Sequence, residues 1–83
     1  MSANKEIFLK LCKDAVTQHN AGVDNPTIKQ NITYLAEVSG IPFLSAITIG
    51  DTMGHALNNI SKTEETVTMD TLAKEFLSLS LKK

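Results

Sequence analysis

Apolar residues recur along this chain in four runs with the 3.6-residue spacing of amphipathic helices. The longest run lies between Pro42 and Ile60. Read at about 100° per residue, it places Phe43, Ala46, Ile47, Ile49, Met53, Ala56, Leu57 and Ile60 on one side. Thr48, Asp51, Thr52, His55, Asn58 and Asn59 fall on the other. Ala46, Gly50 and Gly54 recur at every fourth position of the apolar side, which leaves a strip of backbone almost bare of side chains. A helix-contact role is expected for these three, within the fold or between two copies. Gly50 and Gly54 each cost a helix interior about 1 kcal/mol relative to alanine, so a bend or break near Gly50 is open from the pattern.

The first run puts Ile7, Phe8, Leu11, Cys12, Ala15 and Val16 on one face, with Leu9 widening the apolar arc enough for the helix to touch more than one neighbour. Glu6, Lys10, Lys13, Asp14 and Thr17 line the other face. Between this helix and the next, Gly22 suits a left-handed closing residue, and Asn25-Pro26 pairs an N-cap with the residue favoured at the first helical position. In the second run Ile28, Ile32, Leu35 and Ala36 face inward, while Lys29, Thr33 and Glu37 form a solvent column. Gly40 ends it, and Pro42 restricts Ile41 to non-helical backbone. Ser61-Lys62-Thr63-Glu64 has the capping-box spacing, but Glu65-Thr66-Val67-Thr68 shows no helical stripe and reads as a linker. Thr68 or Asp70 then caps a last helix with Met69, Leu72, Ala73, Phe76 and Leu79 on one face and Lys82 and Lys83 at its negative end. Helices over about 4–19, 26–39, 42–60 and 69–81 predict one all-α domain across residues 1–83, a small four-helix bundle or an orthogonal helical array.

Length sharpens this picture. A chain of 83 residues hides only roughly 60–65% of the surface exposed when unfolded, and a core of that size usually needs a disulfide, a metal or a partner subunit. The single cysteine, Cys12, excludes an internal disulfide, which favours association with another protein or with a second copy. The formal charge is −1, and every one of the eight cations is a lysine. Without the guanidinium fork that pairs with phosphate and guanine, nucleic acid is disfavoured as a partner. The N-terminus holds no uninterrupted apolar run, so no secretory signal is expected and the location is expected to be cytoplasmic. The longest uncharged stretch, Val38 to Gly50, is too short to span a bilayer. Asn31-Ile32-Thr33 and Asn59-Ile60-Ser61 match the glycosylation triplet but lie inside helical patterns, and both are discounted.

Candidate chemistry is sparse. Asp51 and His55 stand one turn apart on the polar face of the third helix, where a carboxylate beside an imidazole makes a proton-responsive pair. Cys12 and His19 share a face at a separation of about 10 Å, too far to hold one metal between them. Cys12, among Phe8, Leu11 and Val16, reads as a small apolar core residue. Zinc-ligand spacings, a phosphate-cradling glycine loop and a nucleophile motif are all missing, so catalytic residues, metal and cofactors are not expected and the chain reads as non-enzymatic.

Leu35-Ala36-Glu37-Val38-Ser39-Gly40-Ile41-Pro42, followed by Ala46 and Ile49, resembles the core of a helix-turn-helix of the phage-repressor kind. In that family an alanine packs the two helices and a glycine four residues on makes the turn. Met69-Asp70-Thr71-Leu72-Ala73 is similar to the opening of the helix that follows, so the resemblance covers about half of the chain. It implies that Phe43, Leu44, Ser45 and Thr48 would face the major groove. The chain departs from the family in carrying no Lys or Arg between Val38 and Ser61, where phosphate contacts would draw on cations.

The expected function is that of a small regulatory protein that binds another protein, as inhibitor or adaptor, and self-associates. Leu44, set among the polar residues of the third helix, and Tyr34, at the edge of the second, are expected to form a contact patch, with Asp51 and His55 as further partner-binding candidates. The alternative is a DNA-binding helix-turn-helix transcriptional regulator.

Overall fold

A computed structural model describes residues 3–63 and 66–81 of the chain. Four helices follow one another: α1 (Ala3–Asn20), α2 (Asn25–Val38), α3 (Phe43–Lys62) and α4 (Met69–Leu81). The predicted boundaries hold within a residue or two, and the differences come from the caps. Asp24, not Asn25, is the N-cap of α2, because its carboxylate accepts from both the Thr27 N–H at 3.3 Å and the Thr27 hydroxyl at 2.9 Å. These bonds hold the Asp24 carboxyl below the ordinary carboxylate value. Pro26 accordingly sits one position deeper, still among the first-turn groups that have no helical partner to lose. Thr68 caps α4, exchanging bonds with Thr71: its N–H donates to Thr71 Oγ1 at 2.8 Å, and Thr71 N–H donates back to Thr68 Oγ1 at 3.2 Å. Ser61 and Lys62, which match the start of a capping box in sequence, instead form the last turn of α3. Glu64, Lys82 and Lys83 lie outside the described residues.

Two glycines make the first two corners. Gly22 (φ +90°) and Gly40 (φ +100°) both adopt the left-handed conformation. At each, the glycine N–H and the next N–H close on the preceding helix: Gly22 to His19 and Val23 to Gln18, both at 3.0 Å, then Gly40 to Glu37 at 3.0 Å and Ile41 to Ala36 at 3.1 Å. This is the Schellman pattern, which joins helix closure to an apolar residue folded back on the core. Val23 and Ile41 are those residues.

The helices pack in a ring, each on its neighbour in sequence, with α4 closing on α1. The α2–α3 contact is the most extensive, α1 and α3 meet briefly, and α2 and α4 show no close backbone approach among the described residues. Side-chain contacts join neighbouring helices round the ring. Asn31 of α2 donates to Gln18 of α1 at 2.8 Å, Asn59 of α3 donates to Glu75 of α4 at 3.0 Å, and Phe8 and Phe76 stack edge to face with centroids 5.0 Å apart. The fold is therefore the four-helix bundle. Its radius of gyration, 11.7 Å, matches the roughly 12 Å of a compact chain of this length.

The core consists of Leu11, Cys12, Ala15, Ile28, Ile32, Ala36, Ala46, Met53, Ala56, Leu57, Ile60, Val67 and Leu72. α3 supplies the largest share, and it runs unbroken through Gly50. Residues 66–68 form no helix, as the linker reading expects, and within them Val67 is buried against the core. Leu9 is exposed, so α1 reaches its several neighbours without it.

Candidate functional site

The middle of the molecule is governed by how closely α2 and α3 approach. Gly50 is buried. A methyl group there would collide with Thr33 Oγ1 and come within 2.9 Å of the Lys29 carbonyl oxygen. Four residues on, Gly54 faces the Lys29 side-chain stem, with room for a methyl at 3.8 Å. Thr33 opposite Gly50 and Lys29 opposite Gly54 advance by one turn in opposite directions, which is an antiparallel helical hairpin. If α2 and α3 diverged near-perpendicularly from their turn, as in a helix-turn-helix, Lys29 and Gly54 would stand roughly 20 Å apart at 1.5 Å per residue. Lys29 and Thr33 thus border the α2–α3 seam: Lys29 and Glu37 are exposed as the solvent column requires, while Thr33 is half-buried. The Thr33 hydroxyl donates to the Lys29 carbonyl at 2.9 Å, so the seam holds no unpaired hydroxyl there.

Over this seam lies a polar cleft of about 350 Å³ bounded by Asn25, Pro26, Lys29, Asp51, Gly54, His55 and Asn58. Asp51 and His55 do share it, but the partner of the Asp51 carboxylate is Lys29, whose ammonium lies 2.7 Å from Oδ1. Oδ1 is itself screened from water, and the contact is an ion pair without a well-directed hydrogen bond. Lys29, on the preceding helix α2, escapes any reading of α3 alone. Both side chains remain about half exposed, 50% for Lys29 and 44% for Asp51, so the pair is worth at most about 1 kcal/mol. Among the described residues no three His, Cys, Asp or Glu side chains gather as a metal site would require.

A second depression is apolar. Ile7, Phe8 and Leu11 of α1, Ile41 and Pro42 of the turn, and Ser45 and Ile49 of α3 enclose a groove of about 320 Å³. Ser45 and Ile49 also border a shallower hollow edged by Leu44 and Thr48. Leu44 therefore stands on the rim of the apolar groove and not in the polar cleft with Asp51 and His55. It is 76% exposed, and Phe43 beside it is 58% exposed. The Thr48 hydroxyl turns back onto the Leu44 carbonyl at 3.1 Å, which leaves this rim poor in free donors. Tyr34 and Val38, one turn apart on the outer face of α2, are exposed as well. The groove was hidden from periodicity because its walls come from two helices and a turn. Its one sequence trace is the uncharged run from Val38 to Gly50.

Cys12 is fully buried, and desolvation pushes its thiol up to about 11. That suits a packing residue and not a nucleophile. No helix among the described residues is long and apolar enough to cross a membrane.

Comparison of the chain with protein-family models, with curated proteins and with solved structures returned no match.

Proposed function

We propose that this protein acts by binding another protein, as a small inhibitor or adaptor, and is not an enzyme. The observation that carries this reading is the set of large apolar side chains left in solvent on α2 and at the start of α3: Tyr34, Val38, Phe43 and Leu44. An aromatic side chain such as Tyr34 held on a rigid helix is an efficient anchor, because little conformational freedom is lost when a partner covers it. Scattered apolar residues are ordinary on a surface, but here they sit on both sides of one turn, and Val38, Phe43 and Leu44 fall in a segment without a single charge between Val38 and Gly50. Two features favour a protein over nucleic acid. The face that the helix-turn-helix resemblance would send into the major groove bears no cation, and α2 and α3 lie side by side instead of splaying.

The test is affinity purification of the tagged chain from its own cells, comparing the unaltered protein with Tyr34→Asp and Leu44→Asp. Each variant removes an exposed anchor and should keep the helical spectrum. Loss of the same partner bands from both is the expected result. Partner bands unchanged in both variants, or steeply salt-dependent binding to duplex DNA by the purified protein, would overturn the reading.

A further inference from the structure

Burial is uneven along the four helices. In α2 and α3 fully covered residues recur from Ile28 to Ala36 and from Ala46 to Ile60. The polar contacts Gln18–Asn31, Lys29–Asp51 and Asn59–Glu75 join each helix to the next around that frame. Two outer stretches differ. α1 buries no residue from Lys5 to Lys10, its share of the core starting at Leu11, and α4 buries none from Ala73 to Leu81. Each stretch keeps one aromatic ring partly covered, and the two rings lie on each other, Phe8 against Phe76 with centroids 5.0 Å apart. On its other side the start of α1 meets α3 only briefly, across the groove lined by Ile7, Ile41 and Ile49. Sparse burial means a low free energy of local opening. Chain ends ordinarily fray one by one, but here the departure of either ring uncovers the other.

We propose that residues 5–10 of α1 and 76–81 of α4 form one opening unit, a gate latched by Phe8 and Phe76, which detaches from the α2–α3 frame while the rest of the bundle stays folded. Opening removes the α1 wall of the groove and uncovers Ile41 and Ile49, which the closed form keeps partly covered. The fold thereby holds a conditional apolar surface beside the permanently exposed Val38, Phe43 and Leu44. The gate does not depend on the protein-binding reading above, because it follows from how the chain covers its own side chains.

Amide hydrogen exchange of the full chain in rising, sub-denaturing urea tests this. The amides of residues 8–10 and 76–81 should share one opening free energy and one urea dependence, both smaller than those of residues 53–60, which open only with the whole molecule. Ile7→Ala, on the groove side of α1, should speed exchange at residues 76–81 by the same factor as at 8–10, roughly tenfold. Ile60→Val should speed exchange at residues 53–60 by roughly two- to tenfold and leave both gate segments unchanged, because the packing of Ile60 survives in the open form. Should Ile7→Ala fail to fold by circular dichroism, Ile7→Val reads the same coupling with a smaller factor. Separate free energies for the two segments, or an Ile7 variant that leaves residues 76–81 untouched, would overturn the proposal by showing two ends that fray independently. Protection equal to that of residues 53–60, or none in either segment, would overturn it too, since the unit would then never open or never close.

Discussion

At the residue scale, Cys12 shows how position outweighs chemical type. In α1 it stands where Leu11 and Ala15 also turn inward, and it is sealed completely. The thiol is thereby kept neutral, its value raised from 9.0 to about 11. Between those two values the unfolded chain loses the Cys12 proton while the folded chain keeps it, so the folded state binds more protons and stability falls as pH rises. The contribution is fully present below pH 9.0 and is lost as pH rises through about 11. Urea unfolding followed across this window should show a steeper alkaline loss for the unaltered protein than for Cys12→Ala, although the variant is the less stable of the two at neutral pH. Equal slopes for the two proteins would show that the thiol ionises freely in the folded chain. Periodicity alone places Cys12 inside, because i, i+3 and i+4 neighbours share a face whatever the fold.

At the element scale, the two glycines of α3 are chemically identical and structurally opposite. Both weaken an isolated helix by about 1 kcal/mol relative to alanine. Gly50→Ala recovers that propensity but drives a methyl into Thr33 and toward a backbone carbonyl that cannot step aside, and overpacking of this kind costs about 1–3 kcal/mol. The net effect is destabilising. Gly54→Ala meets nothing nearer than 3.8 Å and should stabilise by roughly 0.5–1 kcal/mol. Thermal denaturation of the two variants should therefore shift in opposite directions, and Thr33→Ala should restore part of the loss in Gly50→Ala but not all of it, because the Lys29 carbonyl remains. Equal shifts of the same sign would contradict the close α2–α3 approach. The four-residue recurrence of small residues is legible in the sequence. Which of them touches a neighbour depends on the height at which α2 crosses, and only the packed hairpin sets that height.

At the scale of the whole molecule, ring closure depends on α1 and α4, the helices farthest apart in the chain. Their aromatic contact, Phe8 against Phe76 at 5.0 Å and 62°, has the edge-to-face geometry that adds about 0.5–1.5 kcal/mol beyond area burial. A double-mutant cycle on Phe8→Leu and Phe76→Leu should return a coupling energy in that range. A value near zero would mean that α4 docks through its other contacts, among them Leu72, Leu79 and the Asn59–Glu75 bond. The same closure explains the groove. α1 and α3 meet only briefly across the ring, so the wedge between Phe8 and Ile49 is left open where the turn at Pro42 begins.

The sequence by itself determined the four helices, their approximate ends and the inward set of most of them, because helical period, capping residues and left-handed glycines act within a few residues of chain. It also showed that exposed apolar side chains such as Tyr34 and Leu44 had no obvious use inside a single helix. What only the tertiary structure decided is every relation between elements: the close antiparallel approach of α2 and α3, Lys29 and not His55 as partner of Asp51, Thr33 half-buried on a seam, Val67 inside and Phe43 outside. These are long-range contacts, set by how four amphipathic surfaces of unequal width close around one small core. The period of a single helix records which side is apolar, but not which neighbour will cover it, or whether any part of the same chain will.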